Sequence, residues 1–193
     1  MIEVPNHIQL VLDYDRLFRS QVLYEGIALE SAVDQVIAWH YCSEPYKHAS
    51  LFSFVFRDGE ITFGKKIRIL SSIMKESYPE LAETFSSLRK QLDRLRVMRN
   101  KFAHSELVLP ENPPDPKSAA GVTLRYYEKG KEKEAFVPKA DIDRLVDDCR
   151  QLHLAALMLC EILKRRALKK SDERSEGSLI RVARACFDKI NMQ

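Results

Sequence analysis

"LAETFSSLRKQLDRLRVMRNKFAHSEL" (residues 81–107) is the stretch that decides how this chain folds. Leu81, Phe85, Leu88, Leu92, Leu95 and Phe102 recur at the three- and four-residue spacing of an amphipathic helix laid against other helices. One position breaks the pattern. Successive helical residues turn by about 100°, which returns Arg99 almost to the centre of the apolar stripe, where leucine or isoleucine is expected. An unpaired guanidinium there costs on the order of several kcal/mol. Three explanations are open. Arg99 pairs with a buried carboxylate, for which Glu25 and Glu30 are candidates, or it lines a cleft, or it faces a second subunit. His104 follows five residues later, about 140° further round an ideal helix, so the two side chains of one unbroken helix point apart. Asn100, beside the arginine, offers both donors and an acceptor.

Charge is concentrated in the same place. Between residues 89 and 101 lie Arg89, Lys90, Arg94, Arg96, Arg99 and Lys101 against Asp93, six bases less one acid. An electropositive strip beside a histidine suits a phosphate-rich ligand. A solvated helix face is the plainer reading of such a run, and a histidine at a helix C-terminus is favoured by the helix dipole alone. Among the other histidines, His40 and His153 lie on or beside apolar seams and read as core residues.

Working outward, helical periodicity extends from about Asp13 to Tyr41, where Val22, Gly26, Leu29, Val33 and Val36 share one face and Gly26 lets another helix approach closely. Pro45 and the Asp58-Gly59 turn interrupt the pattern. Alternating Phe52, Phe54 and Phe56 between them fit a short strand or a packed loop. A helix is expected over residues 62–77, and the helix carrying Arg99 over about 81–106, ended by Pro110, Pro113, Pro114 and Pro116. Two β-prone runs, 122–128 and 132–137, flank "KGK" and read as a hairpin. A long helix follows from about Lys139 to Leu168, then the polar linker "KKSDERSEGS" and a short amphipathic helix from Leu179 to Ile190. The expected fold is all-α, an antiparallel helical bundle of four to five helices over residues 1–168 with a small β-hairpin inserted at about 121–138. Residues 169–193 form a linker and tail.

With 193 residues, 45% hydrophobic and 31% charged, the composition is that of a globular protein able to bury a sizeable core. A net charge of +3 excludes a global polyanion-binding signature. The four cysteines show no CxxC pair and no Cys/His ligand spacing, so neither metal nor cofactor is expected. No leader-like segment opens the chain and no apolar run reaches membrane-spanning length, so a cytoplasmic protein with no membrane partner is expected.

"RNKFAH" (residues 99–104), set near the end of a long helix with another long helix downstream, resembles the Arg-x(4–6)-His signature of HEPN domains, including the polar residue directly after the arginine. The "NKFAHS" context is also similar to that of mannitol-repressor-like bacterial proteins. What the first resemblance implies is a metal-independent endoribonuclease, acting as a homodimer whose two motifs face one cleft, in a toxin, a defence component or RNA turnover. Carried over, Arg99 holds the scissile phosphate, His104 deprotonates or orients the 2′-OH, and Asn100 positions either. Arg94, Arg96 and Lys101 contact RNA, and Glu25 and Glu30 are supporting carboxylates. An antitoxin or regulatory protein is a further expected partner. The alternative implied by the second resemblance is a non-catalytic regulatory or scaffold domain that binds a protein.

Overall fold

The structure, a computed structural model, describes residues 6–56, 61–128, 130–169 and 173–191. It is mostly helical, with one small antiparallel sheet. Helix α1 (Asn6–Tyr14) runs through a π-helical turn, Asp15–Arg19, into α2 (Ser20–Tyr41) without leaving helical backbone. The wide turn has a packing consequence. Residues four apart drift by about 40° on an α-helix, yet Tyr14, Phe18 and Val22 are all buried. Local unwinding keeps them on one line, which continues through Gly26, Leu29, Val33 and Val36.

Pro45 opens α3 (Pro45–Leu51) as an N-terminal proline, and helical backbone continues through a second π turn, Phe52–Phe56. The alternating phenylalanines therefore form neither a strand nor a loop. Helical turns satisfy their backbone groups locally, whereas a strand needs a neighbour to pair with. The expected Asp58-Gly59 turn lies outside the described residues. Thr62 caps α4 (Phe63–Ser77), its side chain accepting from the Lys65 N–H at 3.4 Å.

The helix expected over 81–106 is divided. Helix α5 (Pro79–Thr84) ends at Phe85, a turn covers Ser86 and Ser87, and α6 runs over Leu88–His104. Serine hydroxyls compete for backbone partners and make the break inexpensive. The break also turns Phe85 edge-on to Phe187, with ring centroids 5.8 Å apart. The apolar stripe survives it: Leu81, Phe85, Leu88, Leu92, Leu95 and Phe102 are all buried.

The chain leaves α6 at Ser105, which is extended, and enters β1 (Glu106–Val108). This strand was not expected. It pairs antiparallel with β2 (Gly121–Glu128), which pairs with β3 (Lys131–Pro138), so the inserted element is a three-stranded sheet rather than a hairpin. Gly130, at φ 74°, supplies the left-handed backbone in the turn between β2 and β3. Helix α7 (Lys139–Ala167) packs along α2 and along α8 (Glu173–Asn191). Ala183, Phe187 and Ile190 of α8 are buried in the same core as the rest. The tail helix is longer than expected, and residues 170–172 of the expected linker lie outside the described residues. Among the described residues no helix is long and apolar enough to cross a membrane.

One charged group ties these helices together. Lys66 of α4 is 3% exposed, and its ammonium donates to Asp34 (2.8 Å) and Glu30 (2.9 Å) of α2 and to the Phe56 carbonyl (3.3 Å). Removing one member of a buried ion cluster strands the others. Lys66→Met is expected to destabilise the protein by about 3–5 kcal/mol, read as a lowered denaturant midpoint with an unchanged slope.

Candidate functional site

Helix α6 presents Arg99 from the flank of its buried stripe, and α2 makes room for it. A Cβ added at Gly26 would lie 2.8 Å from the Arg99 Cγ, so the arginine's hydrocarbon stem fills the gap that glycine leaves. The stem is packed and the head reaches the rim of a cleft, as amphipathic side chains do. Arg99 is thus neither sealed in nor free: its side chain is 26% exposed. Its Nη1 donates to Asn100 Oδ1 at 3.2 Å, its Nη2 lies 3.9 Å from Glu30 Oε2, and its Nε is buried with no hydrogen-bond partner.

The cleft holds about 550 Å³ between α2, α4 and α6. Its lining includes the polar Glu30, Lys66, Arg96, Arg99 and Asn100 and the apolar Phe56, Ile61 and Phe63. Arg96 lies over the first turn of α4, where the missing Gly64 side chain leaves space 3.5 Å from its Cδ, and its Nε donates to Asp93 at 3.2 Å. Behind the cleft, burial pushes the Asp34 carboxyl up to about 6, against the opposing pull of the Lys66 ammonium. Asp34 Oδ1 is buried without a partner.

The other expected site residues are dispersed. His104 is exposed at the last position of α6 and does not line this cleft. Glu25 accepts from the Arg150 guanidinium on α7 at 2.8 Å. Arg94 is bonded to the buried Asp148 of α7. Lys101 sits 4.2 Å above the Tyr126 ring of β2, a cation–π contact. The basic strip is therefore wound around its helix, and Arg96 and Arg99 are the members of it that share the cleft. His40 and His48 are held below the ordinary histidine range by burial. The first accompanies a 3.3 Å contact with the Tyr78 hydroxyl and the second a stack on Trp39. Lys66 and Asp34 were missed by sequence reasoning. Their signal was a lysine one residue from the Phe63–Ile67 seam, and Glu30 and Asp34 one helical turn apart facing it.

Chemically, the cleft offers two guanidinium groups in a lining that also holds apolar side chains. Planar guanidinium groups match the oxygens of a phosphate or carboxylate. Among the described residues no group of three or more histidine, cysteine, aspartate or glutamate side chains is placed to hold a metal ion. Comparison of the chain with protein-family models, curated proteins and solved structures finds no match.

Two outcomes follow from this packing. Alanine in place of glycine ordinarily stabilises a helix interior by about 1 kcal/mol, but at Gly26 the new methyl collides with Arg99. Gly26→Ala is expected to destabilise the wild-type chain and to stabilise one already carrying Arg99→Ala, a sign reversal that a double-mutant cycle of urea unfolding reads directly. The second concerns pH. The ordinary aspartate value is 3.8 and the folded value about 6, so within that window the folded chain holds a proton that the unfolded chain has lost. Raising pH from 4 to 6 should therefore lower the stability of the wild type relative to Asp34→Asn, with no further divergence from this group above that range. Unfolding midpoints at half-unit pH steps test it.

Proposed function

We propose that the chain is a HEPN-like helical bundle that works as a homodimeric, metal-independent endoribonuclease, with Arg99, Asn100 and His104 as its catalytic residues. The observation that carries this is Arg99. It is an arginine on a packing seam, packed through its stem, with most of its donors unused and its head at a cleft rim. Such a group suits a phosphodiester, and it offsets the charge that builds on the phosphoryl oxygens during attack. His104 serves as the base for the ribose 2′-OH. The attacking O2′ displaces the 5′-oxygen of the next nucleotide, leaving a 2′,3′-cyclic phosphate and a 5′-hydroxyl end. Because His104 does not line the cleft of its own chain, each site combines Arg99 of one protomer with His104 of the other. Arg96 binds a neighbouring phosphate. Arg94 and Lys101, engaged within the fold, contribute field rather than direct contacts.

A second reading has its own support. His104 lies outside the cleft, and Glu30 stands 3.9 Å from Arg99, which favours a non-catalytic domain of the mannitol-repressor-like kind that binds a protein partner.

The two are separated by incubating the protein with RNA in EDTA. Wild type should cleave, and Arg99→Ala and His104→Ala should each lose at least about 100-fold in rate. Mixing the two dead variants should restore about a quarter of wild-type activity, since half of the dimers are mixed and each carries one intact site. Cleavage persisting in both variants rejects the site. Failure of the mixture to recover rejects the shared site. An intact wild-type dimer that cuts nothing leaves the regulatory reading.

A further inference from the structure

We infer that the cavity between α4, α5 and α6 is a ligand site for a small aromatic carboxylate, its ring held among Leu70, Met74, Phe85 and Leu92 and its carboxylate by Lys75 and Arg89. The site uses none of Arg99, Asn100 and His104 and stands apart from the ribonuclease reading.

Packing is the first argument. Protein interiors are filled about as closely as organic crystals, yet a space of about 130 Å³ is left beside the break between α5 and α6. Phe85, which lines it, is held edge-on to Phe187 of α8 with ring centroids 5.8 Å apart, so the ring is not free to swing in and close the space. Leu70, Met74, Phe85, Leu88 and Leu92 of the lining are buried and Ala82 is half-buried. Apolar cavities of this order, about 150 Å³, stay dry and admit a single benzene ring. The Met74 thioether and the Phe85 ring favour an aromatic guest over an alkyl chain.

Charge is the second. The same lining includes Lys75, Ser86 and Arg89, all exposed, so the cavity meets solvent beside two cations. Among the described residues no acid lines it. Lys75 has no ion-pair partner among them. Arg89 has one, Asp93 at 4.0 Å, and that carboxylate also bonds Arg96 at 3.2 Å. Counting Asp93 in full against Lys75 and Arg89 leaves one positive charge. The acids of the adjoining segments are turned to other work or lie outside the lining: Glu76 acts on His40 of α2, Glu80 is bonded by Arg166 of α7, and Glu83 is exposed on α5. A monoanion matches that balance. The Ser71 and Ser86 hydroxyls, also in the lining, add donors for its oxygens.

The two halves fit one molecule. A single ring fills the buried part, and a carboxylate attached to it stays at the solvent edge, where no charge has to be desolvated. Acetate would leave the hydrocarbon surface unused, and an uncharged aromatic would leave the cations unanswered.

Titration of the full-length protein with benzoate, benzyl alcohol and acetate, followed by amide NMR shifts, tests this. Benzoate should bind about 3- to 10-fold tighter than benzyl alcohol and at least about 10-fold tighter than acetate, with shifts centred on residues 70–75 and 82–92. Lys75→Gln combined with Arg89→Gln changes two exposed side chains; it should bring benzoate down to the level of benzyl alcohol and leave benzyl alcohol unmoved. Ala82→Leu should fill the cavity and abolish binding of both aromatics. Circular dichroism melts show which variants fold, and the glutamine pair carries the test alone where Ala82→Leu does not. Benzoate no tighter than benzyl alcohol or acetate, benzoate affinity unmoved by the glutamine pair, or benzoate binding that survives in a folded Ala82→Leu chain overturns the proposal. RNA cleavage is read separately, through Arg99→Ala and His104→Ala, so either reading can fail without the other.

Discussion

The arrangement of the site depends on a lysine ammonium held almost out of reach of water. Lys66 draws Glu30 and Asp34 of α2 and the Phe56 carbonyl onto one charge, so the spacing of α2, α4 and the helical segment before α4 is set by the bonds of a single nitrogen. A cluster of this kind specifies position more than it adds stability, because the desolvation of its members offsets much of their attraction. Its consequence reaches beyond the cluster. Lys66 bonds one oxygen of Glu30, and the other oxygen stands 3.9 Å from Arg99 Nη2, an ion pair longer than a hydrogen bond.

Arg99 can occupy the seam because of the turn that precedes α2. The π turn at Asp15–Arg19 keeps Tyr14, Phe18 and Val22 on the buried line and so brings Gly26 to face α6. An ordinary α-helical turn there would rotate the residues that follow relative to Tyr14 and Phe18. The stem of Arg99 then fills the space that glycine leaves, and the hydrocarbon portion of the side chain does the packing that leucine would have done. A charge on a seam is tolerated when its methylenes are buried and its head is not.

Much of this was legible in the sequence, and the parts that were not share a cause. The long helices, the displaced arginine, the close approach at Gly26 and the nearness of Glu30 follow from period and residue type. Strand β1 did not, because three residues are too short for alternation to stand out, and its existence depends on β2, which arrives thirteen residues later. Phe52–Phe56 alternates like a strand, yet no strand lies beside it among the described residues. Lys66 and Asp34 were passed over because a charged residue in a helix is ordinarily solvated. Arg94, Lys101 and Glu25 stood out for their charge, but Asp148, Tyr126 and Arg150, distant in sequence, engage them. Charge along a chain becomes charge at a place only after the helix has wound it through about 100° per residue.

The same winding bears on His104. Five residues beyond Arg99, it stands about 7.5 Å further along the axis and about 140° round it. Rotation into the cleft would require the end of α6 to unwind, and that end is held from both sides. Ser105 turns its hydroxyl back to the Lys101 carbonyl, Arg19 donates to the Ser105 carbonyl at 2.6 Å, and β1 starts at the next residue in register with β2. The histidine is therefore fixed at the junction of helix and sheet, facing outward. Within one protomer the cleft brings Arg96, Arg99 and Asn100 together, whereas His104 stays outside it.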